Sequence, residues 1–248
     1  MKIVAIVQAR IGSTRLPGKV LKEINDKTIL EIILLRLRKS KKINQIVVAI
    51  PNNTQNQGLA EYINNKGFDI YLGDEHNVLN RYYEAAIEFK ADIIVRITGD
   101  CPIVDANLID DCILVLQEQK LDYCNNLDPL SYPDGIDVEV LTYDSLHFAN
   151  SHASTLFDKE HVTSFIRNHP KTSKGSLVNP VDYSNLRLSI DEHADYEVIR
   201  AVFNYFAPDI YFDWKSVIEL YNSNPEIFST NKHIKNNEGS LIGLGPKL

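Results

Sequence analysis

Apolar stretches recur along the first hundred residues at alternating strand and helix spacing, and this rhythm limits what the chain can fold into. Short β-branched runs predict strands over residues 2–8, 45–51, 68–72 and 92–98, with helical spacing over about 28–40, 55–66 and 77–90 between them. Alternation of this kind implies parallel strands joined by helices, so an α/β fold with a doubly wound, mostly parallel sheet is expected. Thr28 with Glu31 three residues on reads as a capping box, and Leu30, Ile33, Leu34 and Leu37 then repeat toward a core. Gly67 suits a left-handed helix end before the strand that opens at Phe68.

From about Tyr123 to Ser189 the rhythm breaks. Pro129, Pro133 and Pro180 interrupt it, and the short segment Asp137 to Leu141 alternates polar and apolar residues. The expectation is a small inserted lobe at 123–189 within a single domain of residues 1–228. A helix over His193 to Phe206 follows, and from Ser229 the chain turns polar and glycine-bearing, predicting a loosely packed tail over 229–248.

Directly after the first strand comes Gln8-Ala9-Arg10-Ile11-Gly12-Ser13-Thr14-Arg15-Leu16-Pro17-Gly18-Lys19. Small residues let backbone N–H groups approach phosphate oxygens, while Arg10, Arg15 and Lys19 neutralise charge, so the loop suits a triphosphate. It is not the nucleotide-hydrolase P-loop: five residues separate Gly12 from Gly18, and Val20 rather than Ser or Thr follows the lysine. No Gly-x-Gly-x-x-Gly fingerprint of dinucleotide binding occurs either.

Composition narrows the remaining classes. A formal charge of −7 opposes nonspecific nucleic-acid binding, so an anionic ligand must rely on local cations. Cys101, Cys112 and Cys124 show no paired spacing with each other or with histidine, which argues against a disulfide framework and a zinc site. No run of about 18 apolar residues is present, and no secretory leader precedes the first strand, so a cytoplasmic location is expected.

Arg96-Ile97-Thr98-Gly99-Asp100 and Arg187-Leu188-Ser189-Ile190-Asp191 share one pattern. Read as strands, each puts Arg, a hydroxyl residue and Asp on one face and ends at the aspartate, where open α/β sheets place ligands. At about 3.3 Å per residue the arginine would lie roughly 13 Å from its aspartate and act elsewhere. Magnesium takes one or two carboxylates plus phosphate oxygens and water, and Asp100 and Asp191 fit that need. The competing reading of each is a helix cap or loop carboxylate.

Ala9-Arg10-x-x-Ser13-Thr14-Arg15-Leu16-Pro17-Gly18-Lys19-x-Leu21 with Ile24-Asn25-x-Lys27 resembles the signature of the CMP-sugar-acid synthetases, the cytidylyltransferases of Kdo and sialic acids. Leu72-Gly73-Asp74, Asn77-Val78-Leu79-x-Arg81-Tyr82-Tyr83, Thr98-Gly99-Asp100-Cys101-Pro102, Tyr132 to Val140, Glu160-His161-Val162-Thr163 and Leu186 to Asp191 are similar to the SpsF-type branch of that superfamily. The likeness runs over roughly residues 1 to 225. It implies a GT-A-like nucleotidyltransferase sheet, CTP as donor, Mg2+ on Asp100 and Asp191, and a homodimer partly built by the insertion. Cys101 departs from the Kdo-type pattern, which has an acidic residue there.

Carried over residue by residue, the resemblance implies nucleotide contacts from Ala9, Arg10, Gly12, Ser13, Arg15, Lys19, Asp74, Asn77, Arg81 and Thr98, with Lys19, Arg10 and Asp100 at the reacting phosphates. For Asp74 and Asn77 a helix-capping role competes. Asp134, Asp137, Glu139, Glu160, His161 and Arg187 become candidate acceptor contacts, and His161, Arg167 and Arg187 suit a small anionic acceptor in surface-polysaccharide synthesis. Two rival readings are a nucleotide-sugar glycosyltransferase, disfavoured because no Asp-x-Asp occurs, and a non-catalytic nucleotide-binding protein.

Overall fold

In the computed structural model, which describes residues 1–234, the chain folds on one seven-stranded sheet and one small hairpin. The elements run β1 (Ile3–Gln8), β2 (Glu23–Ile24), β3 (Lys27–Thr28), α1 (Ile29–Leu37), β4 (Gln45–Pro51), α2 (Gln57–Asn65), β5 (Asp69–Gly73), α3 (Val78–Glu88) and β6 (Ile93–Thr98). They continue with α4 (Ala106–Glu118), β7 (Tyr123–Asn125), β8 (Glu139–Thr142), α5 (Tyr143–His152), α6 (Leu156–His161), α7 (Ser164–Asn168), β9 (Lys174–Ser176), α8 (His193–Phe206) and α9 (Trp214–Ser223). No helix among the described residues is long and apolar enough to cross a membrane.

The sheet order is β5-β4-β1-β6-β8-β7-β9. β1 pairs in parallel with β4 and β6 on either side, and β4 pairs in parallel with β5. Being covered on both faces, β1 has no polar side: Ile3, Ala5 and Val7 join a core with α1, α2, α4, α8 and α9, while Val4 and Ile6 join a second core with α3, α5 and α7. In the β2–β3 hairpin the two turn residues, Asn25 (φ 50) and Asp26 (φ 62), take the left-handed conformations a two-residue turn demands.

The break at residue 123 marks a change of strand direction more than an exit from the sheet. β8 runs antiparallel to β6 and β7, and β9 joins β7 in parallel, so the strands of 123–189 widen the main sheet, and α5, α6, α7 and the connecting loops make up the rest of that stretch. Three further expectations are corrected. Thr28 caps α1 by accepting from Glu31 N at 3.1 Å, but the Glu31 carboxylate does not return to complete the box, because it takes Tyr62 Oη at 2.9 Å and Lys66 Nζ at 2.8 Å. Arg187 to Asp191 is extended without being a sheet strand, its one ladder contact being the bridge Asp134–Arg187. The first tail residues are packed, with Asn231 buried, and the tail beyond Ile234 lies outside the described residues.

One buried charge was invisible to the apolar pattern. Arg36, on the last turn of α1, donates to the carbonyls of Val104 (2.8 Å), Ile210 (2.6 Å) and Phe212 (2.9 Å), and burial lowers its pKa to about 10 against the pull of Asp105. It fastens α1 to the segment leaving β6 and to the loop before α9. Arg36→Leu leaves those carbonyls unmet, each at about 1–3 kcal/mol, and is expected to remove about 3 kcal/mol or more of stability. Urea unfolding should show a lower midpoint at unchanged slope.

Candidate active site

The ends of β1 and β6 lie side by side because β6 is followed by a glycine. Gly99 N donates to Gln8 O at 2.9 Å, and a Cβ at Gly99 would sit 2.8 Å from that same oxygen. The loop after β1 then closes on itself, with Ser13 N (2.8 Å) and Gly18 N (3.1 Å) both donating to Ile11 O and Leu16 buried as its anchor. Gly18, at φ 67, turns the chain into a short helical turn that carries Lys19. Asp100 O accepts from Ile190 N at 2.8 Å, which brings the extended segment before α8 to the same place.

Lys19 is the meeting point of these three segments. Its ammonium donates to Asp100 Oδ2 at 2.7 Å, Ile190 O at 2.8 Å and Asp191 Oδ1 at 3.0 Å, so all three of its hydrogens are used. Arg15 Nη2 adds a contact of 3.1 Å to the same Asp191 oxygen. Burial works to lower the Lys19 pKa, but the Asp100 and Asp191 carboxylates outweigh it and raise it. Burial likewise works to raise Asp100, and Lys19 reverses this, bringing it down to about 2. The pair is therefore fully ionised at neutral pH, and Lys19 is a fixed cation and not a base.

A second knot supports the first. Arg187 donates through Nε to Asp195 Oδ1 (2.9 Å), through Nη1 to Asp134 Oδ2 (3.0 Å) and through Nη2 to Asp191 Oδ2 (2.9 Å). Asp195 in turn accepts from the backbone N–H groups of Asp191 and Glu192, each at 3.0 Å, at the start of α8. The approach needs a glycine: Gly135 sits at φ 102, and a Cβ there would lie 2.3 Å from Ser189 N. Arg187 thus meets its own aspartate, contrary to the 13 Å separation expected of a regular strand, because the guanidinium arm reaches along the chain and the segment is not pleated into the sheet.

These elements wall a cavity of about 480 Å³. Of the candidate residues it is lined by Ala9, Arg10, Ser13, Arg15, Lys19, Arg81, Thr98, Asp100, Glu160, His161 and Asp191. Arg96 and Thr98 line it while Ile97 turns into the core, as strand alternation requires. Gly12, Asp74, Asn77, Asp134, Asp137, Glu139 and Arg187 are not among its walls. Asp74 Oδ1 accepts from His76 N and Asn77 N, and Asn77 Oδ1 accepts from Asn80 N at 3.1 Å, so both side chains are spent on opening α3. Arg187 is saturated by aspartates and Arg167 is exposed away from the cavity, so neither supplies a cation to an acceptor there.

Glu139 lies beneath the cavity and not in it. Buried on β8, it accepts from Arg96, Tyr123 Oη and Thr163 Oγ1. Thr163 follows Val162, which is held at φ 59, ψ −61, a strained turn for a β-branched residue that brings His161 onto the cavity wall. Burial lowers the His161 pKa, leaving the ring neutral near pH 7. Glu75 and His76 also line the cavity, and the signal for them is their place between Asp74 and Asn77 in the loop after β5. Cys101 is a buried thiol whose pKa burial pushes well up, and among the described residues no cluster of three or more His, Cys, Asp or Glu side chains suits a metal by itself.

The sequence model of the cytidylyltransferase family matches residues 4–234. The chain belongs to this family. Among its relatives, the uncharacterized protein MJ1063 of Methanocaldococcus jannaschii is 35% identical over 95% of this chain and 96% of its own length. The spore coat polysaccharide biosynthesis protein SpsF of Bacillus subtilis is 34% identical over 90% of this chain and 95% of that one. A 3-deoxy-manno-octulosonate cytidylyltransferase of Geobacter metallireducens is 34% identical, over 47% of this chain and 45% of that one. The solved structure of a cytidylyltransferase from Leptospira borgpetersenii superposes with a TM-score of 0.88 at 32% identity, covering 92% of this chain and 97% of that one. This cytidylyltransferase is accordingly a nucleotidyltransferase on the expected mostly parallel sheet, with the cation-rich loop after β1 and Asp100 just past the end of β6.

The half-buried Asp137 gives a pH signature. Burial first, then the neighbouring Asp134, raises its pKa to about 7, and the Gly135 N–H at 3.4 Å offsets little of this. A carboxyl with a folded pKa above its ordinary 3.8 binds more protons folded than unfolded, so stability falls as pH rises from about 4 to 7. Asp100 has the opposite sign, adding stability above about 4 that is lost as pH falls toward 2. Asp137→Asn is therefore expected to stabilise the protein at pH 8 relative to wild type and to do so much less at pH 5, as read by thermal unfolding at the two pH values.

Proposed function

We propose that this cytidylyltransferase transfers CMP from CTP to a small anionic acceptor, a 3-deoxy-2-ulosonic acid or a phosphorylated small metabolite, in surface-polysaccharide synthesis. The observation that carries the reading is the convergence of Arg10, Arg15 and Lys19 with Asp100 and Asp191 on one open cavity. An acceptor oxygen attacks the α-phosphorus, the bond from that phosphorus to the β-bridging oxygen breaks, and pyrophosphate leaves with the electron pair. The loop cations hold the leaving phosphates, and lining up the two oxygens while neutralising charge supplies most of the acceleration. A hydroxyl acceptor also sheds a proton, for which the neutral His161 ring on the wall is available, whereas a phosphate acceptor needs no base.

The donor set fits a divalent ion. Two carboxylates from separate segments already converge on a single cation, Lys19 Nζ, and an all-oxygen pair completed by phosphates and water is what Mg2+ takes. Asp100 and Asp191 would hold it, and it would supply charge neutralisation at the transferring phosphoryl group. Lys19 would then turn from the carboxylates to the incoming phosphates. The same reading places the protein in the cytoplasm as a homodimer.

Pyrophosphate release from CTP, measured with magnesium and a panel of acceptors, tests the reaction class. Release dependent on an acceptor supports it, whereas transfer from a nucleotide-sugar, or nucleotide binding with no turnover on any acceptor, would favour the rivals. Asp100→Asn is expected to lower kcat at least about a hundredfold with the fold intact. Lys19→Ala should weaken CTP about tenfold or more while CMP changes within about twofold, since the lysine serves the leaving phosphates. Equal losses for both nucleotides in calorimetry would remove the triphosphate role of the loop.

A further inference from the structure

On the cavity wall, Arg96 is held by one end and unspent along the other. Its Nη1 is bonded to Glu139, its Nη2 has only a 3.4 Å contact to Gln8 Oε1, and its Nε has no partner among the described residues. Nε and Nη2 form the side-on edge of a guanidinium, two parallel donors that match the two oxygens of a carboxylate or phosphate. Glu139 cannot swing to cover that edge, because Tyr123 and Thr163 also hold it. A shielded donor left unmet is costly, and the amide of Gln8, itself on the cavity wall, reaches this edge only through its long 3.4 Å contact with Nη2.

Position separates this edge from the triphosphate loop. Arg96 stands inside β6, which ends at Thr98, whereas Asp100 and Lys19 lie beyond the strand ends, and it is close enough to His161 to act on that ring's charge. The guanidinium stays charged, since Glu139 raises its pKa against the effect of burial. Glu139 consequently acts as a positioning residue: it holds Nη1 and leaves the fork aimed past Gln8.

We propose that the Nε/Nη2 edge of Arg96, fixed by Glu139, is the specificity-determining contact that takes the oxyanion of the acceptor. The inference rests on the cytidylyl-transfer reading given above and assigns the acceptor's anion to a residue outside the nucleotide loop. Gln8 yields when the ligand enters, and discrimination against a neutral analogue follows from leaving the fork unmet.

Calorimetry on the full chain tests it, with CTP saturating and divalent ion withheld so that the loop is filled and no turnover occurs. Inorganic phosphate and acetate are titrated separately as probes, and the one that binds reports whether the natural anion is a phosphate or a carboxylate. Wild type is expected to take one oxyanion. Arg96→Gln should weaken it at least about tenfold, Arg96→Lys less because a point charge replaces the fork, and CTP affinity should stay within about twofold. Should Arg96→Gln fail to fold, Gln8→Glu decides, since it keeps Arg96 and places a carboxylate on its free edge, and it should abolish oxyanion binding. No oxyanion bound by wild type, variants titrating like wild type, or CTP weakening in parallel with the oxyanion would overturn the proposal. Failure of wild type to bind CTP would instead count against cytidylyl transfer, and the Arg96 dependence would then be read with pyrophosphate filling the loop.

Discussion

Arg187 is the contact on which the site depends. Asp134 comes from the turn at Gly135 and Asp191 and Asp195 from the chain entering α8, and three carboxylates this close repel one another unless a cation stands among them. The guanidinium supplies that cation with directional donors, and Asn231, from the last described stretch of the chain, closes the cluster by donating to Asp195 Oδ1 at 3.0 Å and Arg187 O at 3.2 Å. The start of α8, the turn at Gly135 and the segment ending in Asp191 are thereby fixed to one another. Asp191 faces Lys19 because its other oxygen is tied to Arg187.

The resting site is consequently a balanced charge lattice. Lys19 and Arg15 share Asp191, Lys19 also holds Asp100, and the Lys19–Asp100 pair stays ionised near neutral pH. A triphosphate entering alone would have to compete with two carboxylates for the same cations. A divalent ion entering alone would have to displace an ammonium with all its hydrogens engaged. On the proposed cytidylyl-transfer reading, Asp100 and Asp191 would pass from Lys19 to a divalent ion as the loop cations passed to the triphosphate, and each charge would keep a partner.

Local signals were the legible part of the sequence. β4 and α8 have the ends read from the chain, since each is bounded by residues whose own chemistry stops the element. The meeting of the cation-rich loop with Asp100 and Asp191 on one cavity was legible because each lies in a short motif whose residue types and spacing are local. What escaped depended on distant partners. Arg36 sits in an apolar helical pattern, and only carbonyls from two remote loops explain it. Arg187 to Asp191 has the alternation of a strand, yet no strand offers it a full ladder. Asp74, Asn77 and Glu139 have the side chains of ligand contacts, and which way they turn is decided by the backbone N–H groups and buried donors around them. The insertion misled for the same reason, its short polar strands joining the sheet only through β6.

A protein with a net charge of −7 that binds polyanions must concentrate its cations. Here a carboxylate is buried behind the cation that lines the cavity, Glu139 behind Arg96, while Asp134 and Asp195 engage Arg187 in holding the segment that ends at Asp191. A buried carboxylate tied to an arginine by one edge fixes the direction of the other edge while lowering the local net charge. The acidic composition and the anionic ligand are therefore compatible, because several of the acids serve to aim the few bases. The strained turn at Val162 belongs to the same scheme, since Thr163, by donating to Glu139, joins the support of Arg96 to the placement of His161. Changes that relax this turn would loosen the support of Arg96 and the placement of His161 at once.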